Sequence, residues 1–187
     1  MLESKQRLRV LDFDIENRPL SYWIPDQPTA EITAIASCWT DDLSSMQVDL
    51  LGEKSVEEIV DRFIERYNQA DIVTGHYITR HDLPHINGAL LEMGRPPLGA
   101  KMVSDTRTNM FKKQGVPATQ EYLMEILGIE IGKEHMTQGD WREANRLTPK
   151  GLDRTRTRVT KDVIGHMMLR AKMAELGLLR PIKLWRP

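Results

Sequence analysis

Residues 10–17 read VLDFDIEN, and this stretch decides how the rest of the chain is interpreted. Its apolar residues predict a buried strand, yet Asp12, Asp14 and Glu16 occupy every second position. Because side chains alternate between the two faces of a strand, the three carboxylates should project from one face. A carboxylate on a buried strand is unfavourable unless a cation compensates it, and Mg²⁺ or Mn²⁺ suits such hard oxygen ligands. The alternative is an edge strand whose acidic face is solvated.

The bulk composition is that of an ordinary globular chain. The 187 residues are 40% hydrophobic and 28% charged, and the net charge is −1, which predicts one domain with its own core. This balance does not exclude a nucleic-acid partner, because an acidic site and a basic face cancel in the sum. Cys38 is the only cysteine, which excludes an intrachain disulfide and favours a cytoplasmic location. With no long apolar run and no signal-peptide pattern, we expect no membrane partner.

Three strands are predicted first, followed by helices and strands in alternation. A capping box at Ser55–Glu58 predicts a helix to about Gln69, and Thr148-Pro149 predicts a long last helix to about Leu176. This order is typical of an α/β fold with a mixed central sheet of about five strands and flanking helices. The predicted strands lie at 7–15, 32–40, 46–51, 71–74 and 102–103. The other predicted helices lie at 82–93, 105–113 and 120–127, and residues 141–145 form either a short helix or an irregular segment.

Further carboxylates stand beside later core elements. Asp82 follows a short buried strand at the start of a helix, and Asp162 lies within the last helix. Together with Asp14 and Glu16, they would converge from a central strand and two flanking helices and bind two divalent ions. Two such ions clamp the attacking and leaving oxygens of a phosphodiester and lower the pKa of a bound water.

These segments resemble a known family. Residues 13–16 (FDIE) resemble the first motif of the DEDD superfamily of 3′–5′ exonucleases, the proofreading-type nucleases with a ribonuclease H-like fold. Residues 72–76 through Asp82 resemble its second motif, and residues 161–163 (KDV) its third. The intervening segments, 104–106 and 122–133, resemble members of the B-family-polymerase type. The resemblance covers residues 8 to 175, and a looser likeness in residues 133–142 is to stand-alone phage-encoded members.

The resemblance implies a ribonuclease H-like domain spanning residues 1–187, with a core at about 7–177 and a C-terminal tail at 178–187. It implies a 3′–5′ exonuclease acting on single-stranded DNA 3′ ends, with replication or repair proteins as possible partners and the host cytoplasm as the location of a phage-encoded form. The catalytic and metal-binding residues that it implies, for two Mg²⁺ or Mn²⁺ ions, are Asp14, Glu16, Asp82 and Asp162.

The chain departs from the family near the last aspartate. The family places Tyr four residues, or His five residues, before that aspartate to orient or activate water, and here those positions hold Arg158 and Thr157. Arg158 cannot act as a general base, because the pKa of arginine is above about 12. Tyr77 and His81 also replace an Asn and an aromatic residue in the second motif. The metal-binding quartet is therefore intact, while the group that handles water is missing or displaced.

The last helix offers replacements for that group. Arg154, Arg158, Asp162 and His166 are spaced by four and form one stripe. The two arginines could bind phosphate, for which arginine is geometrically suited, or form a solvated face. His166, or else His81 beside Asp82, could act as acid or base, since the pKa of histidine is near neutral. A metal-bound hydroxide with no protein base is the other possibility.

Several residues keep two interpretations. His76, His81 and His85 could suggest zinc, but their spacing matches no standard motif and favours structural roles. Asp12 either supports the metal ligands or lies beyond them, and Asp105 is predicted to cap a short helix. Two alternative functions also remain: a ribonuclease or structure-specific endonuclease of the same fold, and a catalytically silent nucleic-acid-binding module, which the missing Tyr or His motivates.

Overall fold

A computed structural model of the chain describes residues 7–19, 30–110, 115, 117–131 and 135–187. Its strands form one mixed sheet with five helices packed around it, which confirms the predicted α/β class. The described strands are β1 (Val10–Pro19), β2 (Ala30–Trp39), β3 (Asp42–Leu50), β4 (Ile72–Gly75), β5 (Lys101–Asp105) and β6 (Lys183–Trp185). The described helices are α1 (Val56–Gln69), α2 (Asp82–Glu92), α3 (Gln120–Ile126), α4 (Gln138–Asn145) and α5 (Pro149–Glu175).

Strand β1 lies in the interior of the sheet, whose order is β3-β2-β1-β4-β5-β6. It pairs antiparallel with β2 and parallel with β4, so the solvated edge-strand interpretation of residues 10–17 is wrong. Leu11, Phe13 and Ile15 are buried on one face, in a cluster that includes residues of α1 and α2. The alternation of the strand therefore directs its carboxylates to the opposite face, as the sequence predicts.

Helix α5 covers that opposite face. Thr148 caps its first turn by accepting a hydrogen bond from the Gly151 backbone, and proline occupies the first helical position. Val159 and Val163 of the helix share a buried cluster with small residues of β2, including Ala34 and Ala36. Small side chains on the sheet allow the helix backbone to approach closely, and this approach brings α5 side chains over the carboxylates of β1.

Two local features differ from the sequence-based predictions. The sheet has a sixth described strand, because β6 of the C-terminal tail pairs antiparallel with β5. The helix predicted at 105–113 is replaced over its described part by a turn at 106–108 and an isolated bridge between Met110 and Leu179, while 111–113 lie outside the described residues. Asp105 accepts backbone hydrogen bonds from Arg107 and Thr108, as a helix N-cap does, but only one turn follows, because Met110 pairs with Leu179 of the C-terminal tail. Among the described helices, none combines the length and the apolar character needed to cross a membrane.

Candidate metal centre

The acidic face of β1 and the stripe of α5 lie against each other, and each carboxylate of β1 is opposite one residue of that stripe. Two residues of a strand advance by about 6.6 Å and four residues of a helix by about 6 Å, so the two repeats nearly match. Three levels of contact result: Asp12 with His166, Asp14 with Asp162, and Glu16 with Arg158. Asp14, Asp162 and Glu16 form the candidate metal centre.

Asp14, Glu16 and Asp162 converge within the described residues. Each offers one carboxylate oxygen, and the three oxygens lie within 4.8 Å of one another. Asp14 and Glu16 are partly exposed, whereas Asp162 is buried. A group of three carboxylates at this spacing provides the hard oxygen ligands that Mg²⁺ and Mn²⁺ take in proteins.

Asp82 lies beside this group rather than within it. It begins α2, is almost completely buried, and its Oδ1 accepts a hydrogen bond from the backbone N–H of Ile15 at 3.1 Å. That bond fixes the carboxylate next to the β1 segment that carries Asp14 and Glu16. Burial raises the pKa of Asp82 to about 8, although the hydrogen bond from Ile15 opposes the shift.

The electrostatics of the group fit a divalent cation. Burial raises the pKa of Asp14 well above its ordinary value, and the negative charges of Asp82, Asp162 and Glu16 raise it further. The guanidinium of Arg158 lowers this pKa without cancelling the effect. One cation therefore does not balance the carboxylates, and hard cations supplied from solution would complete the neutralisation.

Arg158 lies inside the cluster, at the position where the resembling family has tyrosine. Its Nε donates to Glu16 Oε1 at 2.5 Å, and its second terminal nitrogen is 3.8 Å from Asp162 Oδ2. The guanidinium also lies 5.1 Å from the centre of the Trp141 ring of α4. Arg154, one turn earlier, instead has its Nε 3.7 Å from Asp140 of α4. The two predicted phosphate ligands are thus at different places: one among the carboxylates and one where α4 packs on α5.

Neither of the two histidines considered as acid or base belongs to the group of three converging oxygens. His166 is only 2% exposed and bonds through Nδ1 to Asp12 Oδ2 at 2.7 Å and through Nε2 to Thr106 Oγ1 at 3.0 Å. His81 precedes α2, and its ring centre is 4.3 Å from that of His85. Burial lowers the pKa of His81, and His85 lowers it further. No histidine belongs to a metal-ligating group in the described ranges, so the described structure contains no zinc cluster.

A buried polar network extends from His166 and was not predicted from the sequence. Thr106 Oγ1 lies 2.8 Å from His76 Nδ1, and His76 Nε2 lies 2.9 Å from the carbonyl oxygen of Ala118. Burial lowers the pKa of His76 to about 4, so its ring is neutral at pH 7. The network ties β1, the β5 turn and α5 together through Asp12, Thr106 and His166. The only feature of the sequence that indicated this network was the spacing of His166 on the α5 stripe.

Asp105 organises the loops next to Asp82. Its two oxygens accept hydrogen bonds from the backbone N–H groups of Tyr77, Thr79, Arg107 and Thr108 and from the Thr79 hydroxyl, at 2.6–3.0 Å. One carboxylate therefore joins the loop after β4 to the turn after β5. Tyr77 has φ of 73°, a conformation that is uncommon outside glycine and that this bond holds in place.

Comparison with known proteins gives a fold-level match. No family model and no curated protein matches the chain. Among 149 matching chains of solved structures is the family B DNA polymerase from the hyperthermophilic archaeon Pyrobaculum calidifontis, with TM-score 0.69 and 18% identity. The match covers 90% of this chain, which spans only a quarter of the polymerase chain. At this identity the likeness concerns the fold, and it is consistent with the predicted ribonuclease H-like arrangement of a mixed sheet and flanking helices.

The raised pKa of Asp82 predicts how stability depends on pH without divalent ions. In the folded state the Asp82 carboxyl group keeps its proton up to about pH 8, whereas in the unfolded state it loses that proton near pH 3.8. The free energy of unfolding should therefore fall from pH 6.5 to 8. The lowered pKa of His76 acts in the opposite sense and mainly below pH 6.5, where its ring would ionise on unfolding, so its effect between pH 6.5 and 8 is small. Urea unfolding in chelator at both pH values measures the slope, and Asp82→Asn should make it shallower; Asp14, whose pKa is also raised, contributes to the slope that remains. A wild-type stability that rises over this interval would contradict the assignment.

Proposed function

We propose that the protein is a metal-dependent 3′–5′ exonuclease that hydrolyses phosphodiester bonds of single-stranded DNA. The observation that carries the proposal is the convergence of carboxylate oxygens from Asp14, Glu16 and Asp162 within 4.8 Å, with Asp82 fixed beside them. Three elements distant in sequence, β1, α2 and α5, supply these four groups, so local composition does not explain the arrangement.

Two further lines of support are independent of that distance. The motifs around Asp14, Asp82 and Asp162 resemble the DEDD exonucleases, including members of the B-family-polymerase type. The structural comparison, which uses the fold and not these motifs, returns a family B DNA polymerase. Both lines point to the same class of nucleic-acid-processing protein.

The four carboxylates would hold two Mg²⁺ or Mn²⁺ ions, which when bound lower the pKa of water and neutralise charge on phosphate oxygens. The chain itself positions the ligands: the Ile15 N–H orients Asp82, and α5 presents Asp162 to Asp14. Arg158 stays protonated, because Glu16 and Asp162 outweigh the effect of burial and raise its pKa. It therefore offers charge and hydrogen bonds to a phosphate and takes no proton from water.

The direct test is a digestion assay on end-labelled substrates. A 5′-labelled single-stranded DNA should shorten stepwise from its 3′ end in Mg²⁺ or Mn²⁺ and stay intact in chelator. The same sequence as a closed circle should resist digestion, and cleavage of the circle would assign an endonuclease. Faster digestion of the matching RNA would assign a ribonuclease, and binding with no turnover in either metal would overturn the enzymatic proposal.

A further inference from the structure

A cavity of about 900 Å³ lies at the side of the sheet where β5 meets β6. Three segments form its walls: the loop after β4, the turn after β5 and the C-terminal tail. Tyr77 and Trp185 provide aromatic surface in it. The cavity is separate from the three converging oxygens, none of whose residues lines it.

The described lining of this cavity is strongly basic. It contains five cationic residues and no carboxylate, in a chain whose total charge is −1. Several arginines elsewhere on the described surface have acidic partners, as Arg62 has Asp49 and Arg95 has Asp61. Four of the five cations in the cavity make no ion pair with any carboxylate of the described residues. The five cations are Arg80, Arg107, Arg180, Lys183 and Arg186.

The walls that carry these cations are held in place before any ligand arrives. Asp105 joins the loop after β4 to the turn after β5 by the hydrogen bonds described above. The tail is fixed by β6 pairing and by the Arg180 backbone N–H, which donates to the Asn109 carbonyl at 2.8 Å. The Arg107 guanidinium stacks 4.1 Å from the centre of the Tyr77 ring. Such preorganisation lowers the entropic cost of binding.

Cations spread over three walls match a chain of phosphates better than a single anion. Arginine and lysine neutralise backbone phosphates, and aromatic rings beside them accept unpaired bases. The loop that contributes Tyr77 and Arg80 to the cavity ends at Asp82, next to the metal centre. We propose that this cavity binds the phosphodiester backbone of a single-stranded nucleic acid and leads its end to the metal centre, an inference whose last part rests on the proposed function.

Binding is tested on the full chain in chelator, with Asp14→Asn present so that no turnover occurs. Fluorescence anisotropy of a labelled single strand gives Kd at several salt concentrations. We expect Lys183→Gln with Arg186→Gln to raise Kd about tenfold and to reduce the salt slope by about 0.7 for each phosphate that the variant no longer neutralises. The matched control is Arg7→Gln with Arg95→Gln, which removes the same charge at two residues that do not line the cavity and should leave Kd unchanged.

Each outcome of the binding test either supports or overturns the proposed binding site. Unchanged Kd in the tail variant, or equal weakening in the control, overturns the proposal. A mononucleotide that competes as strongly as the oligonucleotide overturns it in favour of a small-nucleotide site. If the tail variant loses structure by circular dichroism, Arg80→Gln in the loop after β4 replaces it and should also raise Kd. Because neither metal nor turnover is needed, a protein that binds here but never hydrolyses DNA refutes the proposed function and leaves this site standing.

Discussion

Asp14→Asn should reduce metal-dependent hydrolysis by roughly a thousandfold or more, the size of loss seen when a group that stabilises transition-state charge is removed. The same substitution should stabilise the metal-free protein. Burial and the charges of Asp82, Asp162 and Glu16 raise the pKa of Asp14, which means that its ionised form is less favourable in the folded protein than in water. Replacing the carboxyl group by a neutral amide should therefore raise the free energy of unfolding.

Opposite effects on activity and stability make this prediction specific. Thermal unfolding in chelator and in Mn²⁺ should show a higher Tm for Asp14→Asn without metal and a smaller rise on adding metal than in the wild type. Asp153→Asn is the matched control, because Asp153 is an exposed carboxylate at the start of α5 outside the group of converging oxygens. An Asp14→Asn protein that loses activity but keeps the full metal-induced rise in Tm would show that Asp14 does not bind the ion.

Periodicity explains why most of the candidate site was predictable from the sequence. Alternation along β1 places Asp14 and Glu16 on one face whatever the strand packs against, and a spacing of four places Arg158 and Asp162 on one stripe of α5. Both patterns are local properties of the chain. The approach of the two faces required only that α5 cover the sheet, which the α/β element order favours.

The features that could not be predicted depend on tertiary adjacency. The partner of Asp12 is His166, 154 residues later, and their pairing follows from how α5 crosses β1. Asp105 caps a single turn and not a helix, because the chain after it pairs with Leu179 of the distant C-terminal tail. Strand β6 has only three residues and no alternating pattern, so its pairing with β5 had no local signal.

The position of Arg158 was predictable from the sequence, but its hydrogen-bond partner was not. Its place on the α5 stripe is periodic and was predicted, whereas its hydrogen bond to Glu16 required the register between α5 and β1. The structure therefore shows what takes the place of tyrosine at this position. The position that holds tyrosine there holds, in this chain, a permanent cation among the carboxylates.

The buried network around His166 has a definite direction of hydrogen bonding. His76 is neutral at pH 7, and its Nε2 must donate to the Ala118 carbonyl, so its Nδ1 accepts from the Thr106 hydroxyl. The Thr106 oxygen then accepts from His166 Nε2, and one proton lies between His166 Nδ1 and Asp12 Oδ2. The other oxygen of Asp12 has no hydrogen-bond partner in the described structure. Among the described residues, Asp12 therefore depends on His166 alone for side-chain hydrogen bonding.

His166→Leu should accordingly lower the free energy of unfolding by about 3–5 kcal/mol, because it leaves the fully buried Asp12 carboxylate without its partner. Asp12→Leu should be destabilising in the same way, since it removes the partner of the buried histidine. The double variant should recover much of the loss, because two apolar side chains can replace a buried pair at little cost. Urea unfolding of the four proteins gives the coupling as a double-mutant cycle.

The same variants decide whether His166 handles protons in the reaction. Its ring is 2% exposed and is engaged by Asp12 and Thr106, which favours a role in holding α5 over β1. In that role, the folded double variant should keep hydrolysis within about 10- to 100-fold of wild type, as expected for loss of a residue that only supports metal ligands. Its pH–rate profile should also keep its shape. If His166 were the acid or base, one limb of that profile would disappear although stability had been restored.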